Sequence, residues 1–229
     1  MKPKYIQVDC KETNKLDLRQ AEAVLKHKPD IIILEYPNNN QTPDLEFNRF
    51  GALEKPKKMV EERIKEFPGE VLKIHPWARA DTVMWKNIAN LWSSGHQVLV
   101  YAVDAPNELT REWLEVWSYT YPCVKKNWVW WVQIYLRERK MADNVRWILD
   151  HYEGKNNPTI LVFLQNFHWD HVQFLLSGPT KDEIWDYYFG KFSSVNKDNI
   201  EEKIKSLNKV FYKYWKRFSS EMILPNKLR

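Results

Sequence analysis

The run IIILEY, residues 31–36, limits the fold more than any other stretch of the chain. Its first four positions are all apolar, so a strand built from them has no face to turn to water. Such a strand belongs inside a sheet covered on both sides, the situation of a parallel strand flanked by helices. A second apolar run, TILVFL at 159–164, ends abruptly in Gln165, Asn166 and His168, and His171 follows one helical turn later.

Around these runs, short apolar stretches alternate with helical patterns. Residues 5–8 predict a first strand, and 16–28 a helix with Leu18, Ala21, Val24 and Leu25 on one face. Residues 56–67 predict a helix and 70–74 a strand. A helix over 81–94 is followed by Gly95, suited to a left-handed cap, and then by a strand over 97–103. Thr110 is placed to cap a helix through Trp113, Leu114 and Trp117. A long helical pattern over 124–153 ends at Gly154. Thr180 and Glu183 have capping-box spacing for a helix that stops at Gly190, and 197–219 predict a last helix. Strand and helix in turn mean an α/β fold with a mainly parallel sheet flanked by helices. Residues 1–178 are expected to form that domain, and 179–229 a helical C-terminal appendage packed on it.

Twelve tryptophans imply a large apolar core or an aromatic-lined cavity. The stretch NWVWWVQIYL (127–136) predicts a helix buried on both sides, with Trp128, Trp131 and Tyr135 sharing one face. Cys10 and Cys123 match no disulfide framework or zinc spacing, which points to a reducing compartment. The first ten residues lack the apolar segment of a signal peptide, and no apolar run approaches the roughly 18 residues of a membrane span. A soluble, cytoplasmic protein is expected. The net charge of +5 is scattered, densest in KVFYKYWKRF at 209–218. That pattern reads as an amphipathic helix with its lysines in water, or as a nucleic-acid or acidic-membrane contact. Helical spacing explains it, so nucleic-acid binding is not expected. Exposed aromatics on this tail would give a homodimer its contact.

Ligands of open parallel sheets bind beyond the carboxyl ends of the strands. The expected strands end in Asp9 and Cys10, in Glu35, in His75, in Asp104, and in Gln165, Asn166 and His168. Each delivers a polar or ionisable side chain to one edge. Capping of the following helices accounts for some of these residues. Acid, imidazole, acid and imidazole in turn, at Glu35, His75, Asp104 and His168, point to a shared cleft at that edge.

The phrases LEYP at Glu35, QNFH at His168 and RERKMADN at Arg137, Arg139, Met141, Ala142 and Asn144 carry a resemblance. Over about residues 5–176 the chain resembles the superfamily of TraB/Tiki proteins, erythromycin-esterase-like enzymes and haem-uptake lipoproteins. Those proteins pair an R-x-R-x-M-A-x-N helix with strands ending in G-x-x-H and a strand ending in Glu. The chain departs from them in QVDC, where Cys10 takes the place of the first His, and Gln7 and Gln165 take both glycine places. The resemblance implies hydrolysis of a peptide, ester or amide bond by His and Glu at the sheet edge, in some members with a divalent metal. One branch binds haem, but this sequence has no obvious axial pair.

A carboxylate and an imidazole facing a cleft can hold a metal or activate a water. Glu35, His168, Asp9 and Cys10 are the candidate catalytic residues. Cys10 could act as a nucleophile with His168 as its base, or fill space as a buried thiol. Glu35, His168, His75 and Cys10 are ligand types suited to zinc or manganese. Arg137, Asn166, Gln165 and Asp104 are the candidate contacts to a small-molecule or peptide substrate, with Arg137 as an anion clamp. His171 joins His168 in a metal reading, and lies on the surface in the plainer one. The alternative function is a non-catalytic relative that binds a protein, nucleic acid or membrane through its basic aromatic tail.

Overall fold

The computed structural model describes residues 2–8, 18–37, 76–112 and 127–223. In chain order its elements are β1 (Lys4–Gln7), α1 (Leu18–His27), β2 (Ile31–Pro37), α2 (Pro76–Ser93), β3 (Leu99–Asp104), α3 (Trp128–Asp150), β4 (Thr159–Phe163), α4 (Asn166–Leu176), α5 (Lys181–Phe189), α6 (Ile200–Leu207) and α7 (Lys209–Ile223). Residues 107–112 form a short helical stretch. The expected helix at 56–67 and strand at 70–74 lie outside the described residues.

The described strands form one all-parallel sheet in the order β1-β4-β2-β3, so the fold is α/β. Tyr5 lies opposite Ile160 and Ile32 opposite Leu161, in parallel register. Ile31, Ile32, Ile33 and Leu34 are all buried, as are Ile160, Leu161 and Val162. The two-sided apolar pattern of β2 is therefore met by burial on both faces. Ile32, Leu34, Leu161 and Phe163 pack with Ala23 and Val24 of α1 and with Met84, Ile88 and Leu91 of α2. Asp30 ties down the start of the central pair: its Oδ2 accepts the Thr159 N–H at 2.7 Å, and the Lys155 Nζ stands 2.8 Å away.

The chain divides into two compact units built from discontinuous segments. The first comprises Met1–Tyr36, Thr42–Val103 and Trp147–Trp169; the second comprises Pro37–Gln41, Asp104–Arg146 and Asp170–Arg229. In the second unit the first half of α3 is buried all round, Val129 through Leu136, as its sequence predicts. Tyr135 meets Tyr188, Phe189 and Trp215 edge-on, with centroids 5.1 to 6.2 Å apart.

Several local expectations need correction. The last helix breaks at Asn208, whose backbone is extended. The Asn208 Oδ1 accepts the N–H groups of Val210 and Phe211, starting a new helix where apolar spacing alone predicts continuity. Thr110 does not cap a helix: it lies within the stretch 107–112, and its hydroxyl donates to the Asn107 carbonyl. α3 ends at Asp150, before Gly154. On α7, Phe211, Tyr214, Trp215 and Phe218 are buried while Lys213, Lys216 and Arg217 face water. The amphipathic reading of the tail describes α7 well, with Tyr212 half-buried between the two faces. Other expectations hold. Gly95 has φ +84°, the left-handed cap after α2. Thr180 and Glu183 form a reciprocal capping box, and Gly190 closes α5.

Candidate functional site

In the first unit, the carboxyl ends of the two central strands meet. β4 stops at Phe163, and Gln165 begins the next helix: its carbonyl accepts the Trp169 N–H at 2.9 Å. The first N–H groups of a helix have no partner within it. That of Gln165 donates to the Glu35 Oε2 at 2.8 Å. The carboxylate thus sits at the positive end of α4, a favourable place for a negative charge. The Glu35 Oε1 lies 3.7 Å from the Nε2 of His168, in the first turn of α4. The His168 side chain is 5% exposed and that of Glu35 16%. Phe167, an exposed residue, meets the His168 ring edge-on at 5.4 Å. Gln165 is half-buried and Asn166 exposed. The Gln7 amide reaches the Leu164 carbonyl at 3.5 Å, joining β1 to the same turn.

At 3.7 Å the carboxylate and imidazole are an ion-pair distance apart, a few tenths of an ångström beyond a hydrogen bond. Catalytic contacts of this length commonly tighten when substrate binds. Asp9, Cys10 and His75 lie outside the described residues. Among the described residues no group of three His, Cys, Asp or Glu side chains could hold a metal ion. Glu35 and His168 by themselves supply two ligands, fewer than a zinc or manganese site takes from its protein.

In the second unit, two residues expected to contact substrate face each other. Arg137 grips Asp104 with a two-pronged bond, Nε to Oδ1 at 2.7 Å and Nη2 to Oδ2 at 2.5 Å. The side chains are 11% and 4% exposed. Asp104 Oδ1 also accepts the Ala105 N–H at 2.6 Å. A guanidinium and a carboxylate matched this way hold each other firmly. Arg139 pairs with Asp143 one turn on, 3.3 Å apart.

The second unit also holds a polar cluster that strand-end reasoning misses. Glu138 on α3 is fully buried. Its Oε2 accepts from His171 Nδ1 at 2.6 Å and from the Tyr188 hydroxyl at 2.9 Å. His171 is itself buried, not on the surface as the plainer reading had it. Burial pushes its imidazole down to about 4, helped by the Lys191 charge and opposed by Asp170. Burial and the Glu138 charge push the Tyr188 phenol well above its ordinary range. The ring of His171 is therefore neutral at neutral pH. Because a carboxylate only accepts, Nδ1 carries the proton and Nε2 the lone pair. One signal was present: Glu138 continues the stripe of Trp128, Trp131 and Tyr135, at helical spacing on a buried face.

A comparison of the chain with protein-family models, with curated proteins and with solved structures finds no match in any of the three.

Proposed function

We propose that the protein is a hydrolase acting on a peptide, ester or amide bond, with Glu35 and His168 as its working pair. The observation that carries this reading is their 3.7 Å approach at the carboxyl ends of the central strands, where parallel sheets place their ligands. His168 takes a proton from water as it attacks the carbonyl carbon. Glu35 orients and stabilises the imidazolium that forms, and His168 then returns the proton to the leaving group. The phrases at Glu35, at His168 and along α3 support placing the chain near the TraB/Tiki and erythromycin-esterase-like proteins. Met141, Ala142 and Asn144 of the last phrase are buried, as a helix-packing signature would be.

The test is turnover of a panel of chromogenic esters, anilides and peptides by the purified chain. Glu35→Gln and His168→Ala are each expected to lower kcat/KM by about 10²-fold or more, the usual worth of a positioned acid–base group. Equal turnover by wild type and both folded variants would overturn the assignment.

A second reading has its own support. Glu35 already holds the N-terminus of α4 through Gln165, which a purely structural carboxylate would also do. In that reading the chain is a non-catalytic binding protein, and α7 offers Lys216 and Arg217 to its partner while Lys213 pairs with Glu108 at 3.1 Å. It predicts no turnover of any substrate in the panel.

A further inference from the structure

The polar cluster of the second unit lies under an aromatic layer that already carries an ammonium group. The Lys191 Nζ stands 3.2 Å from the centroid of the Trp131 ring and 5.4 Å from that of Phe192. The ring's electrons attract a cation on its face, more strongly where water is kept away. Trp131 is tiled by other rings: His171 at 5.8 Å, tilted by 34°, and Tyr188 edge-on at 6.2 Å. Tyr187 meets His171 edge-on at 5.3 Å and stacks on Phe174 at 4.2 Å. Behind His171 and Tyr188 lies the Glu138 carboxylate, which accepts a hydrogen bond from both. Asp170 adds a second negative charge near His171.

The indole face thus favours a positive guest, while partial burial lowers the Lys191 pKa and disfavours the charge of a primary ammonium there. The present guest is held by its own tether. Lys191 is an exposed residue directly after Gly190, the cap of α5, and its side chain turns about four single bonds. A primary ammonium is also the guest that loses most hydration on such a surface, whereas a methylated ammonium is more weakly hydrated and covers more of the ring.

We propose that the Trp131 face covered by Lys191 is a binding site for an organic ammonium ion, and that Lys191 is an internal occupant which the ligand displaces. The recognised chemistry is a methylated or quaternary ammonium, free or carried on a modified side chain. This site is independent of the Glu35–His168 reading.

Calorimetric titration of the full chain with choline tests the proposal, with 3,3-dimethylbutanol as the uncharged control of equal shape. Removing the occupant in Lys191→Ala is expected to tighten choline binding at least tenfold, with no binding of the control. Adding Trp131→Phe, which keeps a ring and a closed core, weakens choline binding several-fold, and circular dichroism verifies that each variant folds. A folded Lys191→Ala protein with no saturable choline binding overturns the proposal, as does equal binding of the uncharged control. A trimethyllysine peptide compared with choline then separates the two sources: tighter peptide binding assigns the site to a modified side chain, tighter choline binding to a free cation.

Discussion

Asp104 and Arg137 show how much rests on single side chains. Each is nearly excluded from water, and the pair is matched at two points. A buried charge left without its partner is costly, far more than the net worth of the intact pair. Asp104→Asn is therefore expected to destabilise the fold by about 3–5 kcal/mol in urea denaturation. The double variant Asp104→Leu/Arg137→Met, which removes both charges, should recover most of that loss. If the double variant is as unstable as the single one, the pair matters through shape and not through charge. Both residues were visible in the sequence, one at a strand end and one in a charged helical phrase. Their pairing was not, because 33 positions separate them and only the folded backbone closes that gap. Glu35 and His168 were legible for a simpler reason: each follows an apolar run that had to end at the sheet edge. Glu138 was hidden because its neighbours Arg137 and Arg139 suggest a charged, solvated face and mask the aromatic stripe it extends.

Elements were legible where a single local rule decides them. The capping box of α5 needs only Thr180 and Glu183, and Gly95 needs only freedom to adopt positive φ. Asn208 fails the rule of continuity: the apolar spacing of Ile200 and Ile204 runs on into Phe211 and Trp215, and hides a cap that the Asn alone signals. Lys28 is a different case. It ends α1 with φ +42°, its N–H bonded to the Val24 carbonyl at 3.0 Å, and Pro29 follows. A side chain in that region is crowded against its own backbone, and glycine is not. Lys28 is exposed, so glycine sacrifices little packing there. Lys28→Gly is expected to raise stability by roughly 0.5–1 kcal/mol, the relief of strain less the added freedom of the unfolded chain. Lys28→Ala keeps the strain and should give no such gain. Equal effects of the two substitutions in thermal denaturation would rule out backbone strain as the cause.

At the scale of the whole molecule, charge and burial act together through pH. The chain carries a net +5 with its histidines neutral, so acid adds to an already positive molecule. No helix among the described residues is long and apolar enough to cross a membrane, and the aromatic mass goes instead into cores such as the one around His171. That ring faces Glu138 from α3, Asp170 beside it on α4, Tyr187 and Tyr188 from α5, and Lys191 beyond the cap of α5. In the folded protein its pKa is lowered to about 4 from the 6.5 of a free imidazole, first by burial and then by Lys191. Asp170 pulls the other way. Between these two values the unfolded chain binds a proton that the folded chain refuses. Stability is therefore full above pH 6.5, falls as the pH drops through the window, and levels off below about 4. The loss is at most on the order of 3 kcal/mol, because a tenfold change in proton affinity is worth about 1.4 kcal/mol. General repulsion from the rising positive charge adds to it, but equally in a variant that differs only at this ring. His171→Gln removes the titrating group while keeping a polar side chain near Glu138. Its urea midpoint should then change less between pH 6.5 and 4 than that of the wild type. Parallel curves for the two proteins would mean that the proton responsible binds elsewhere, and that the buried imidazole plays no part in acid sensitivity.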